Sequence, residues 1–302
     1  MKISEVFKPQ LPQKLFIQIL LFIIPNISSP SVYYCHQNNT ENNFLRFITI
    51  NIRTSVKKDS INRWENRKNL LLDYLKCDSF GIICMQEATM LQMKFFKENL
   101  IGYEYVGSKY NVVRGEEYLP IFYSNNEFDY LDDGTFWLSE NPDSVGSKGW
   151  DAAIVRRVTW VKLKSKHTDK ELIVANTHLD HKGPISRVSS VKLIKKRMVD
   201  IAGNLPVIIC GDMNSEQGSQ SYYAALNNDF IMYDAYQIAK KRKGVVYTYH
   251  AFGMQPIVKR KMVDYIFVTK DLSVDKIDIP VEYPINNIYL TDHNPVIADI
   301  KF

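Results

Sequence analysis

The chain has 302 residues, 45% hydrophobic and 24% charged, which suits a globular protein with a large core and excludes a chain too polar to bury one. A formal net charge of +5, from 38 basic and 33 acidic residues, permits a polyanionic substrate without demanding one. No Pro/Gly/Ser-rich linker or charge block divides the sequence, so one large domain is expected after the N-terminus.

The N-terminus is set apart. Lys2, Lys8 and Lys14 precede an apolar run over 15–24, Pro25 stops it, and Ser28, Ser29 and Ser31 follow. A run that short covers about half of a bilayer core at a helical rise, too little to span it. The pattern predicts a signal peptide over residues 1–31, or an uncleaved signal anchor, and hence a secreted or secretory-pathway protein. Membrane contact is expected only through that segment, if it stays uncleaved. Asn38-Asn39-Thr40 is a glycosylation acceptor just beyond it. Cys84 and Cys210 sit inside apolar strands and read as small hydrophobes, whereas a Cys35–Cys77 bridge is left open. No C-x-x-C spacing points to a cysteine zinc site.

Residues 44–51 predict a strand that ends at Asn51 and is followed by Arg53. A helix after Trp64 turns Leu71, Leu72 and Leu75 to a core. Residues 80–85 predict a buried strand delivering Gln86 and Glu87 at its end, and 90–100 a helix. Strands are expected over 119–123, just after Glu117, and over 135–139. Residues 154–164 and 172–178 form a hairpin that closes on His178. A basic amphipathic helix spans 185–202.

Val207-Ile208-Ile209-Cys210 reads as a strand buried on both faces, which Gly211 breaks to let the backbone turn. Asp212 and Asn214 then project on one side at its mouth. A helix over 219–227, strands over 262–268 and 274–279, and a closing strand over 295–300 complete the chain. Strands outnumber helices, which suits two packed sheets with helices on their outer faces.

Polar residues of catalytic type recur where strands end: Asn51, Glu87, Glu117, His178, Asp212 with Asn214, Asp264, and Asp292 with His293. Each has a bland alternative as a cap, a turn or a satisfied core residue. The joint pattern is more telling, because sheets that share a core bring strand ends to common edges, where function is carried.

Thr-Ile-Asn-Ile-Arg, Met-Gln-Glu, Asn-Thr-His-Leu, Cys-Gly-Asp-Met-Asn, Val-Asp-Tyr-Ile-Phe and Thr-Asp-His-Asn-Pro-Val occur in this order. Over residues 44–302 the sequence thereby resembles the endonuclease/exonuclease/phosphatase superfamily. Trp-Glu-Asn-Arg-Lys, Gly-Thr-Phe-Trp-Leu-Ser-Glu-Asn-Pro and His-Leu-Asp-His-Lys-Gly resemble a metal-dependent hydrolase subgroup near the deadenylases of the carbon-catabolite-repressor type. The resemblance implies an α/β four-layer sandwich over 32–302, two packed mixed β-sheets flanked by helices. It also implies a divalent metal, Mg²⁺ or Mn²⁺, and cleavage of a phosphoester by water.

Carried over residue by residue, Glu87 matches the metal-binding glutamate, with Asn51 and Asp292 in the same network. Asp212 matches the residue that orients or deprotonates the attacking water, and Asn214 the amide that contacts phosphate. His293 matches the essential histidine and Asp264 its carboxylate partner. His178 stands where the deoxyribonuclease branch has its second histidine, and Glu117 resembles that histidine's partner. Arg53, Asn214 and His178 are expected to face substrate.

The residue types suit the chemistry without the family. A hard cation on oxygen ligands neutralises a phosphoester, and imidazolium groups oriented by carboxylates add charge stabilisation. The expected enzyme is a monomeric nuclease-like phosphodiesterase for DNA or RNA. Alternatives are a sphingomyelinase-like lipid phosphodiesterase, a sugar or inositol phosphatase, and a catalytically dead binding protein. A lipid enzyme would want an exposed aromatic hairpin, for which Phe136-Trp137-Leu138 is the candidate. A nuclease would use the basic runs at 192–197, 240–243 and 259–261, with Tyr247, Tyr249 and Phe252 stacking on bases or simply packing. Thr-His-Leu-Asp-His at 177–181 resembles a zinc-hydrolase motif, but the other histidines lack the spacing to complete it, and Asp180 and His181 read as loop residues beside the pocket.

Overall fold

Aliphatic runs that alternate between two buried faces build the centre of the molecule. The computed structural model describes residues 44–107, 117–227, 230–281 and 284–302, all within one compact unit, Cys35–Phe302. The expected signal segment, the glycosylation acceptor and Cys35 lie outside the described residues. Of the proposed bridge, the Cys77 half is described and is disulfide-bonded, while Cys84 and Cys210 are free and buried.

In chain order the elements are β1 (Leu45–Asn51), α1 (Trp64–Cys77), β2 (Ile82–Gln86), α2 (Met90–Asn99), β3 (Tyr103–Val106), β4 (Ile121–Ser124) and β5 (Phe128–Trp137). There follow β6 (Arg157–Ser165), β7 (Glu171–His178), α3 (Pro184–Ala202), β8 (Val207–Asp212), α4 (Gln220–Leu226), β9 (Tyr233–Asp234) and α5 (Ala235–Ile238). The last strands are β10 (Lys241–Gly244), β11 (Asp264–Val268), β12 (Ser273–Ile279) and β13 (Val296–Lys301).

Two mixed sheets result, one ordered β10-β12-β13-β1-β2-β4-β3 and the other β5-β6-β7-β8-β11-β9. Phe47, Cys84, Val174, Cys210 and Ile266 meet in the core between them. On the outer face of the second sheet, Val191, Ile194 and Met198 of α3 pack on Ile209 and Phe267. Leu71, Leu72 and Leu75 of α1 are buried, and Trp64 packs edge-on to Phe95 of α2. These layers make the expected α/β four-layer sandwich.

A polar bolt fixes how the sheets face each other. Gln86 Nε2 donates to Asn176 Oδ1 at 2.7 Å, and Asn176 Nδ2 donates to the carbonyls of Met85 and Pro120. Both side chains are fully buried, so a slip between sheets would orphan several polar groups at once. The bolt lies one residue before Glu87 and two before His178, directly beneath the strand ends that matter.

Three local features differ from expectation. Strand β8 runs through Gly211 instead of breaking there. A Cβ at Gly211 would stand 1.9 Å from the Thr177 carbonyl oxygen, so glycine is needed for the close approach of β7. Strand β5 begins at Phe128, seven residues earlier than its apolar stretch suggests, because its first half is an exposed edge without a hydrophobic pattern. Most of the basic run at 240–243 lies in strand β10, paired to β12.

Candidate active site

The ends of β1, β2, β7, β8 and β11 meet at one edge of the sandwich. Asp212 closes β8 with His178 as its register partner in β7 and Asp264 as its partner in β11. Three strands thus deliver an imidazole and two carboxylates side by side. His293, in the turn before β13, completes the group: its Nδ1 lies 2.8 Å from Asp264 Oδ2 and its Nε2 3.9 Å from Asp212 Oδ2.

His178 mirrors that arrangement. Its Nδ1 is 3.1 Å from Glu117 Oε2 and its Nε2 3.4 Å from Asp212 Oδ2. Both imidazoles therefore point their Nε2 atoms at one carboxylate and are held from behind by another. Burial works against the charge on Glu117, but the hydrogen bond with His178, with Arg156 and Arg53 nearby, holds its carboxyl down at about 2. Arg156 Nη1 stands 3.3 Å from Glu117 Oε2.

Asn51 joins this group to the next. Its Nδ2 donates to Glu87 Oε1 and to Asp212 Oδ2, each at 3.1 Å, and its Oδ1 accepts from the Arg53 backbone N–H. Glu87 Oε2 accepts from the Thr54 N–H. Arg53 is clamped by both oxygens of Asp59, leaving its guanidinium 3.9 Å from Glu87 and 3.9 Å from Asp292. Burial, together with the nearby charge of Glu87, raises the pKa of Asp292 despite His293 and Arg53.

Arg53, Glu87 and Asn214 have left-handed backbones, with φ of 54°, 60° and 45°. Such residues cost of order 1–3 kcal/mol each and persist only where the surroundings over-determine them. Fully buried Arg67 supplies part of that constraint, donating to the carbonyls of Ile52, Arg53, Thr54 and Leu290. The backbone N–H of Asn214 donates to Asp212 Oδ1 at 2.8 Å, and its Nδ2 donates to the Leu179 carbonyl.

All the expected site residues, Asn51, Arg53, Glu87, Glu117, His178, Asp212, Asn214, Asp264, Asp292 and His293, fall in this one network. Asp180 does not face it as an open acid. It is buried and accepts from the backbone N–H groups of Ala153, Ile154, Lys182 and Gly183, stapling two loops beside His178. Sequence patterns left Tyr249 undecided. Its ring packs 5.0 Å from that of His293, and its phenol lies in the field of Asp292, Arg53, Glu87 and Asp212, so it lines the site. Arg156, and Arg67 of the Trp-Glu-Asn-Arg-Lys motif, had no role legible in sequence, because a basic residue at a strand or helix start carries no signal of the partner that it will meet.

Oxygen-rich donor sets suit a hard divalent cation. Glu87, Glu117 and His178 place ligand atoms within 4.8 Å of one another, as do Asp212, Asp264 and His293. Among the described residues Asp264 Oδ1 is buried without a hydrogen-bond partner, and burial beside Glu87 raises the pKa of Asp292. An added cation would relieve that crowding of carboxylates, so the residues fit a metal.

The model of the Endonuclease/Exonuclease/phosphatase family matches residues 48–293. The chain belongs to this family. Family members are divalent-metal-dependent hydrolases of phosphoester bonds, and this chain is one of those enzymes. A solved family structure from Bacteroides vulgatus is 38% identical, with a TM-score of 0.82 over 86% of this chain and 99% of that one. The mannosyl-6-phosphatase of Bacteroides thetaiotaomicron is 32% identical, with a TM-score of 0.78 over 85% of this chain and 100% of that one. An uncharacterised protein of Acanthamoeba polyphaga mimivirus is 27% identical over 253 residues, 79% of this chain and 92% of the relative. Among the described residues no helix is long and apolar enough to cross a membrane.

Proposed function

We propose that this enzyme hydrolyses a phosphate monoester of a sugar, using Mg²⁺ or Mn²⁺, in or beyond the secretory pathway. The observation that carries the chemistry is the placement of two carboxylate-backed histidines, each with its Nε2 toward Asp212. The likeness to a mannosyl-6-phosphatase along that protein's full length supports a sugar phosphate. Several members of the basic runs that would serve a nuclease are engaged elsewhere. Buried Lys195 caps α4 through the carbonyls of Ala224 and Ala225, Arg197 pairs with Asp143, and Lys261 pairs with Glu216. Phe136, Trp137 and Leu138 are buried, so they form no exposed hairpin for a lipid. The disulfide at Cys77 suits an oxidising compartment.

In this mechanism Glu87 and Asp292, with Asn51 spacing Glu87 from Asp212, would hold the cation. When bound there it neutralises phosphoryl charge. Asp212 orients a water and accepts its proton as the oxygen forms the new bond to phosphorus and the ester P–O bond breaks, the sugar oxygen leaving as an alcohol with a proton from solvent. His293 as an imidazolium, and His178, donate from Nε2 to phosphoryl oxygens, and each such positioned group is worth ~10²–10⁴-fold. The Asn214 amide and Arg53 complete the contacts to phosphate, and Tyr249 borders the leaving group.

The test is a substrate panel with Mg²⁺: mannose 6-phosphate and other sugar phosphates, inositol phosphates, single- and double-stranded DNA, poly(A) and sphingomyelin. Sugar monoesters should be turned over best. Faster cleavage of a nucleic acid or of sphingomyelin would overturn the substrate assignment.

A further inference from the structure

The loop between β10 and β11 leaves apolar side chains in water beside the catalytic edge. Met254 is 78% exposed, Ile257 69% and Val258 92%. Side chains this apolar are rarely bared together without a use. The loop is also built to present them. Ala251, Phe252 and Gly253 are three consecutive left-handed residues, with φ of 53°, 53° and 77°. Arg260 braces the turn, stacking on Tyr247 and donating to its hydroxyl and to the Gln255 carbonyl. Gly253 donates its N–H to His250 Nδ1. At its base the loop is tied to the site, because the N–H groups of His250 and Ala251 both donate to the Asp292 carbonyl.

From this geometry we infer that Met254, Ile257 and Val258 form a tip that docks the enzyme on an anionic lipid surface, with the active site held close above it. Exposed Lys259 directly follows Val258 and makes no ion pair among the described residues, which supplies a cation at the level of the headgroups. A stable protein interface needs roughly 1,000 Å² or more with aromatic anchors, beyond what three aliphatic side chains offer. A membrane interface asks only for a shallow apolar insertion with flanking positive charge.

The experiment is sedimentation of the full chain with phosphatidylcholine vesicles, with and without phosphatidylserine. The chain should sediment more strongly with the anionic vesicles. Ile257→Asp combined with Val258→Asp should lower partitioning about tenfold or more, with hydrolysis of a soluble phosphoester unchanged. If that double variant fails to fold, Met254→Asp carries the same comparison. A parent chain that stays in the supernatant with both vesicles overturns the inference and leaves the tip to a protein partner. A folded variant that binds as well as the parent also overturns it, since the N-terminal apolar run would then do the binding. Sedimentation needs no turnover, so an error in the proposed substrate leaves this test intact.

Discussion

Asp212 lies directly opposite Asp264 across the antiparallel pair of β8 and β11. Two like charges in such a pair repel, and His293 offsets that by touching Asp264 while facing Asp212. Burial alone would strip the proton from this ring. The attraction and hydrogen bond of Asp264, followed by Asp212 and Asp292, outweigh it and raise the His293 pKa to about 10.

At neutral pH His293 is therefore an imidazolium. Its raised pKa contributes stability that is fully present below the ordinary histidine value of ~6.5 and is lost as pH rises toward about 10. Asp264→Asn removes the largest of the attractions. The alkaline limb of activity should then move toward neutrality, and turnover at neutral pH should fall by ~10²-fold. The pH–rate profile, with an NMR titration of the imidazole, checks both.

Asp212→Asn keeps the shape of the side chain and its place between two imidazoles, yet removes the proton acceptor. Turnover should drop by at least ~10²-fold while the melting temperature holds or rises slightly, because a carboxylate crowded by Asp264 is neutralised. Activity within a few fold of the parent would take the proton-accepting role away from Asp212.

Metal dependence is separable from the acid–base pair. A chelator should abolish activity, and Mg²⁺ or Mn²⁺ should restore it. Glu87→Gln should weaken the cation's apparent affinity and lower turnover by at least ~10²-fold, read by calorimetric titration and by activity against metal concentration. Activity indifferent to chelation would remove the cation from the mechanism.

Asp180 predicts a pH effect on stability rather than on rate. Burial opposes its charge, but four backbone N–H donors hold its carboxyl down at about 2. Against ~3.9 in an unfolded chain, that depression stabilises the fold by about 2 kcal/mol above pH ~4, and the contribution is lost as pH falls through about 2. Asp180→Asn should lower stability by about that amount at neutral pH and by roughly half as much near pH 3, measured by denaturant unfolding at both.

The order of elements was legible in residue patterns because the central strands are aliphatic runs, each ended by a polar residue, and buried strands need that composition. The six motifs also carry every expected site residue of the one network except Glu117, since a strand end can be read locally. What could not be read locally is who meets whom across the two sheets. Gln86 and Asn176 look like ordinary polar residues until the sandwich closes and each meets the other across the sheets. Tyr249 acquires its position from a bridge to His293, far along the chain. The requirement for glycine at 211 comes from the approach of β7, and Asp180 is used by two loops rather than by a substrate. Residue types and strand spacing thus determined which chemistry this chain carries. Tertiary structure alone decided the pairing of its charges, because Coulomb and hydrogen-bond energies depend on distances that sequence separation does not set.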